Sequence, residues 1–189
     1  MELEKIYSDI ATHMVKGLMI HDNLANYYDF LGLKGYKRCH EYHYFKENMA
    51  YRSLCRYYVN HHNKLIEEQQ FDNPDVIPQS WYQYTRQDVD TNIKRNAVKN
   101  GLTMWVEWER DTKEMYEKMY KELIEMDEIA SAMKIKELIC DVDDELKKAE
   151  RYELNKKATD YNISDIISEQ GRKHHKYERK MKKMGIHLC

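Results

Sequence analysis

Residues 36–69 contain neither glycine nor proline, the two residues that most often interrupt a helix. Read at a helical spacing of 3.6 residues, this stretch has one mostly apolar and aromatic face, but His40, His43 and Glu47 lie in its middle. A helix that only packs would carry leucine or isoleucine there, whereas a bundle that binds a metal between its helices carries histidine and glutamate. The full face is Tyr36, His40, His43, Glu47, Ala50, Leu54, Tyr57 and His61.

Composition points to long helices and little sheet. The 189 residues include only two prolines and six glycines, and 34% of them are charged. This length fits one domain, which we predict to span residues 1–189, and the net charge of −2 gives no argument for a nucleic acid or membrane partner. The acidic, amphipathic N-terminus is unlike a signal peptide, and the uncharged runs are too short to span a membrane. The four cysteines show no CxxC spacing and are interpreted as reduced thiols, which predicts a cytoplasmic protein with no membrane partner.

Helical periodicity predicts five helices, at about residues 3–31, 35–69, 87–125, 128–158 and 164–185. Short links join the first pair and the third to the fourth, while turn residues fill the long segment 71–85. Four long helices with one long link predict an all-α, up-down-down-up four-helix bundle at about 3–158, with a crossover between helices 2 and 3 and a fifth helix at the C-terminus.

Five short motifs, in the same order along the chain, give this layout a resemblance to one known family of four-helix bundles. Tyr27-Tyr28-Asp29 and Leu33-Lys34-Gly35-Tyr36 resemble the end of the first ferritin helix and the start of the second. Ile77-Pro78-Gln79-Ser80-Trp81 is similar to the ferritin crossover. Trp108-Glu109-Arg110 is similar to a motif on the third ferritin helix, and Asp141-Val142-Asp143-Asp144-Glu145 resembles an acidic motif on the fourth. The resemblance is thus to the ferritin-like superfamily, closest to the true ferritins. It covers residues from about 6 to 155 and implies a ferritin-like homo-oligomer.

The resemblance also implies a degenerate di-iron ferroxidase centre inside the bundle. Ferritins bind iron there through a Glu on the first helix, Glu-x-x-His on the second, Glu on the third, and acidic or amide groups on the fourth. Glu47 and Glu109 match the second- and third-helix glutamates, but Ala50 stands where the histidine would be. The first-helix glutamate falls near His13 or Met14, where no carboxylate is available. The fourth-helix positions fall on or beside Asp141, Asp143 and Asp144.

A rearranged site is the alternative that the residues leave open. His43 precedes Glu47 by one helical turn, so the two side chains can share a metal. Iron is the metal that the resemblance implies, the added histidines shift the preference toward zinc or manganese, and the absence of any metal is the competing interpretation. In that case each of these side chains is a buried or solvated polar group. The candidate ligands are His13, His43, Glu47, Glu109, Asp141 and Asp144.

The predicted last helix is strongly basic. Its positive charge suits either a solvated or subunit-contact helix, or an electrostatic contact with nucleic acid. Tyr177 is the one aromatic residue there, which argues against base recognition. The basic residues are Arg172, Lys173, Lys176, Arg179, Lys180, Lys182 and Lys183.

Two functions follow from these observations. The first is a homo-oligomeric, ferritin-like protein that handles iron or a related divalent metal, including binding, storage and slow Fe(II) oxidation, so that enzymatic activity stays an open question. The second is a non-enzymatic ferritin-fold protein that has lost its metal and works through its surface or its basic helix, on a partner protein or a nucleic acid.

Overall fold

The computed structural model describes residues 2–70 and 83–186, and over these ranges all regular secondary structure is helical, without a β-strand. The all-α prediction is thereby confirmed. The motif at residues 77–81, which was predicted to form part of the crossover, lies outside the described residues. Within them no helix is both long and apolar enough to cross a membrane. The helices are α1 (Leu3–Phe30), α2 (Lys34–His62), a 3₁₀ turn (Arg86–Asp88), α3 (Thr91–Glu125), α4 (Ile129–Ala158), α5 (Ile163–Ser168) and α6 (Gln170–Lys183).

Helix boundaries differ from the prediction chiefly at two places, besides α3, which begins at Thr91 rather than near residue 87. Helix α2 ends at His62 rather than near residue 69, because Asn63 adopts a left-handed backbone conformation with φ of 57° that stops the helix. The predicted last helix is divided into α5 and α6, and Glu169 separates them. The side chain of Asn162 caps α5 by accepting hydrogen bonds from the backbone N–H groups of Ser164 and Asp165.

Contacts divide the chain into two compact units, the first formed by residues 2–15, 48–70 and 102–154. In this unit α3 and α4 run antiparallel, since Thr103 bonds to Glu153 while Lys113 pairs with Asp143. Parts of four helices enclose its apolar core, whose buried members are Ile6, Tyr7, Ile10, Met14, Leu54, Tyr58, Tyr116, Met119, Leu123, Ala132, Ile135, Leu138 and Val142.

The second unit comprises residues 16–47, 83–101 and 155–186. Here the second half of α1 runs antiparallel to the first half of α2, with the rings of Tyr28 and Tyr36 5.3 Å apart. Helix α3 approaches α1 closely at Gly101: a Cβ atom there would lie 2.0 Å from the Tyr28 hydroxyl oxygen. A glycine is therefore required at this crossing.

Helix α6 packs one face against other helices of the second unit and leaves its basic face in solvent. Tyr177 and Met181 are buried. Lys173 is also buried, with its ammonium 3.8 Å from the centre of the Tyr36 ring. The Lys180 ammonium lies 4.6 Å from the centre of the Tyr42 ring. Two of the predicted nucleic-acid contacts, Lys173 and Lys180, thus belong to the packed face.

Candidate metal centre

His21 is a fully buried polar side chain on an otherwise apolar stripe of α1. It lies seven residues after Met14 and seven before Tyr28, so the helix directs all three toward the same side. Its two ring nitrogens have different neighbours. The Nδ1 atom lies 2.9 Å from Nδ1 of His40, and the Nε2 atom lies 3.3 Å from Oε1 of Glu47.

Helix α2 supplies His40, His43 and Glu47 at successive turns, as the sequence predicts. Both histidines are buried, and their ring centres lie 5.2 and 5.4 Å from that of His21. Burial, reinforced by the charges that His21, His43 and Lys173 would carry, holds the pKa of His40 well below its usual value. His40 is therefore neutral near pH 7.

Glu47 and Glu109 are the two carboxylates beside His21, and one oxygen of Glu47 is not satisfied by its surroundings. The Glu47 side chain is 25% exposed, yet its Oε2 atom is buried and has no hydrogen-bond partner in the part of the chain that the structure describes. Glu109 is buried, and its Oε1 atom accepts a hydrogen bond of 2.8 Å from the Trp105 indole N–H. A buried, unsatisfied carboxylate oxygen is costly unless a cation or a donor meets it.

His21, Glu47 and Glu109 form a group that could hold a metal ion. Each offers one ligand atom, and the three atoms lie within 4.8 Å of one another. One imidazole and two carboxylates make a mixed nitrogen and oxygen set, which suits iron, manganese or zinc rather than a thiolate-dependent metal. The orphaned Oε2 atom of Glu47 is the observation that best fits a bound cation.

Two of the predicted ligands, Glu47 and Glu109, therefore belong to this group, while His43 lies beside it with its ring packed against His21. His13 lies elsewhere. Its Nε2 atom is 2.7 Å from the Thr112 hydroxyl, and its ring stacks on Trp108 with centres 4.1 Å apart. These contacts give His13 a packing role on α1 and α3.

The predicted ligands on α4 are both exposed. Asp141 and Asp144 flank the buried stripe of this helix, and neither belongs to the candidate group. Asp143 pairs with Lys113 at 2.6 Å. Hydrogen bonds from Lys113 and from a second lysine hold the pKa of Asp143 below its usual value. The acid that α4 does bury is Glu145, whose Oε1 atom lies 2.9 Å from the Lys148 ammonium.

His21 is the group member that the sequence analysis missed. Gly17, Ile20 and Leu24 already satisfy a helical spacing along α1, and Ile20 lies on the same turn as His21. A heptad spacing from Met14 through His21 to Tyr28 was the available signal, because residues seven apart lie on one face of a helix.

A comparison with known protein families found no family model that matches the chain, and a comparison with curated proteins found no match.

Proposed function

We propose that the protein binds a divalent transition metal, iron foremost, through His21, Glu47 and Glu109. The orphaned, buried Oε2 atom of Glu47 carries the proposal, because a metal cation would satisfy it and offset two neighbouring carboxylates. A ferritin-like four-helix bundle that assembles into a homo-oligomer is the architecture we propose around this site. Storage or slow oxidation of iron is the cellular role that such a protein would have.

The three side chains have distinct parts in this proposal. His21 would supply a neutral imidazole nitrogen, which retains the ion more strongly than oxygen ligands alone. Glu47 and Glu109 would supply the negative charge that selects a divalent cation over a monovalent one. The Trp105 indole N–H already orients the Glu109 carboxylate, as an outer hydrogen bond does in metal sites.

Metal titration of the purified protein tests the proposal. Fe(II) under anaerobic conditions, Mn(II) and Zn(II) are added separately, and bound metal is counted by elemental mass spectrometry after desalting. We expect one metal per chain, and affinity reduced by at least about tenfold in Glu47→Gln and Glu109→Gln, since even outer-shell changes cost that much. Glu107→Gln, an exposed change on the same helix as Glu109, is the matched control.

The outcomes of aerobic iron loading separate the roles. Many iron atoms per chain would support storage. One metal per chain, lost in Glu47→Gln, would support a single binding site without storage. No bound metal, or equal binding by wild type and both glutamine variants, would contradict the proposed site.

Nucleic acid binding through α6 is a second candidate, favoured by the exposed face of this helix. Arg172, Lys176, Arg179 and Lys183 are all exposed and recur every three or four residues, so they form one positive stripe. Tyr177 is buried and cannot stack on a base, so the contact would be with phosphates alone.

Salt dependence of DNA binding tests this second candidate. The triple change Lys176→Gln, Arg179→Gln and Lys183→Gln should reduce the slope of log affinity against log salt by about 2.7, or about 0.9 per lost phosphate contact. Lys118→Gln with Lys121→Gln and Lys136→Gln removes the same charge from exposed positions of α3 and α4. An equal reduction of this slope in both triple variants would show a general effect of net charge and contradict a role for α6.

A further inference from the structure

The contact between His21 and His40 constrains where their protons lie. Their Nδ1 atoms are 2.9 Å apart, and both side chains are buried. At this distance the two nitrogens share one hydrogen, so one ring donates and the other accepts. The hydrogen bond therefore couples the tautomer of one histidine to that of the other.

Metal binding would decide which ring donates. Nε2 of His21 is the nitrogen that faces Glu47 Oε1, at 3.3 Å. A ligating nitrogen needs its lone pair, so Nε2 would carry no proton and the proton of the neutral ring would reside on Nδ1. His21 Nδ1–H would then donate to His40 Nδ1, and the proton of His40 would reside on its own Nε2 atom.

We propose that His40 is a positioning residue of the metal site, which accepts the His21 Nδ1–H bond and so keeps His21 Nε2 available as a ligand. This inference rests on the proposed metal-binding function. Metal-bound histidines in proteins usually donate their second ring N–H to a carboxylate, a backbone carbonyl or water. Here a neutral imidazole takes that place.

Packing holds the His40 ring where it can accept this bond. The Tyr28 ring lies 5.4 Å away at an angle of 23°. Tyr28 is itself anchored, because its hydroxyl donates to the Ala97 carbonyl at 3.3 Å. A rotation of His40 away from His21 would have to displace this buried tyrosine.

Nitrogen-15 NMR of the wild-type protein tests the tautomers directly. With histidine labelled on both ring nitrogens and the protein loaded with Zn(II), we expect His21 to be protonated on Nδ1 and His40 on Nε2. The His40→Gln variant assigns the His40 signals among the nine histidines of the chain. A His40 ring protonated on Nδ1 in the zinc-loaded protein would overturn the inference.

Zn(II) affinity, measured by competition with a chromophoric chelator, tests the consequence. His40→Leu removes the acceptor and should weaken binding by about 10- to 100-fold, the usual effect of losing an outer-shell partner. His40→Gln keeps an acceptor oxygen and should recover most of that loss. His43→Leu is the matched control, because this buried ring also packs against His21.

Failure of the inference differs from failure of the metal site. If wild type binds no Zn(II), the proposed function is wrong. If wild type binds Zn(II) and Glu47→Gln weakens it, but His40→Leu binds as tightly as wild type, the site stands and the role of His40 is wrong. Equal weakening by His40→Leu and His43→Leu, without recovery in His40→Gln, would show a packing role and would also overturn the inference.

Discussion

Glu169, which separates α5 from α6, is a carboxylate with three polar partners. Its Oε1 atom accepts a hydrogen bond of 2.6 Å from the Tyr36 hydroxyl and lies 2.9 and 3.2 Å from the ammonium groups of Lys156 and Lys173. Burial opposes its ionisation, but Lys173, Tyr36 and Lys156 outweigh burial, so the pKa of Glu169 lies below its usual value of 4.5. Ionised Glu169 thus stabilises the fold.

The change Glu169→Gln should lower the free energy of unfolding at pH 7 and lose its effect in acid. A carboxyl whose pKa is depressed by folding stabilises fully above its unfolded pKa, and this contribution disappears as pH falls through the lower folded pKa. The deficit of the variant should therefore be constant from pH 7 to about pH 5 and shrink below about pH 4.5. Urea unfolding from pH 7 to pH 3 measures it, with exposed Glu125→Gln as the control.

Gly101→Ala and Gly171→Ala should change stability in opposite directions. A Cβ at Gly101 would lie 2.0 Å from the Tyr28 hydroxyl, whose ring is buried and cannot yield freely, so we expect a loss of about 1–3 kcal/mol. At Gly171 a Cβ would meet no atom within 4 Å, and alanine should gain up to about 1 kcal/mol through helix propensity. Thermal and urea unfolding of both variants decide this. A neutral Gly101→Ala would contradict the close approach.

At the scale of residues, the sequence predicted side chains that lie on a strong periodic face. Glu47 was identified because it interrupts an apolar stripe on α2, and Glu109 because of the resemblance. His21 was missed because a helix stripe is wide enough for Ile20 to account for the same turn. The burial of Lys173 could not be predicted, since it depends on a carboxylate four residues earlier and on Tyr36 far along the chain.

At the scale of elements, long helices were predicted well and their interruptions poorly. The predicted first and fourth helices agree with α1 (Leu3–Phe30) and α4 (Ile129–Ala158) to within a few residues. Helix α2 ends early because Asn63 adopts a left-handed conformation, which asparagine permits but does not require. The sequence pattern alone could not show that the helix ends before Asn63 rather than continuing for seven more residues.

Tyr177 should be the residue on which the packing of α6 depends. Its ring is buried, so Tyr177→Ala should lower the free energy of unfolding by about 3–5 kcal/mol, as large aromatic truncations do. The neighbouring exposed change Lys176→Ala should have an effect within about 0.5 kcal/mol. Urea unfolding measures both, and hydrogen exchange of α6 reports local release. Equal effects of the two substitutions would contradict the packed face.

At the scale of the whole molecule, metal should stabilise the folded chain by mass action. At a free metal concentration of 100 times Kd, the free energy of unfolding should rise by about 2.7 kcal/mol, because the unfolded chain has no preformed site. Thermal unfolding with and without Zn(II) measures this, after treatment with a chelator to give the metal-free reference. Glu47→Gln, with a Kd at least about tenfold higher, should gain at most about 1.4 kcal/mol at the same metal concentration. An equal rise in wild type and variant would place the binding elsewhere.

The predicted homo-oligomer remains a prediction, and light scattering after size-exclusion chromatography tests it. A large assembly would favour the ferritin-like proposal, whereas a monomer or dimer would favour a protein that works through its surface. Metal binding by His21, Glu47 and Glu109 does not depend on this outcome, because all three ligands come from one chain.

The turn after α4 contains two successive residues in the left-handed conformation, Asp160 with φ of 46° and Tyr161 with φ of 52°. Such a backbone is unfavourable for a bulky residue, and burial of the Tyr161 ring offsets its cost. The buried ring therefore acts together with the Asn162 cap of α5 to keep α4 from continuing into α5. We therefore expect Tyr161→Ala with Asp160→Ala to convert the turn into continuous helix, seen as new exchange protection at residues 160–162. Unchanged exchange at these residues would show that the turn does not depend on the Tyr161 ring.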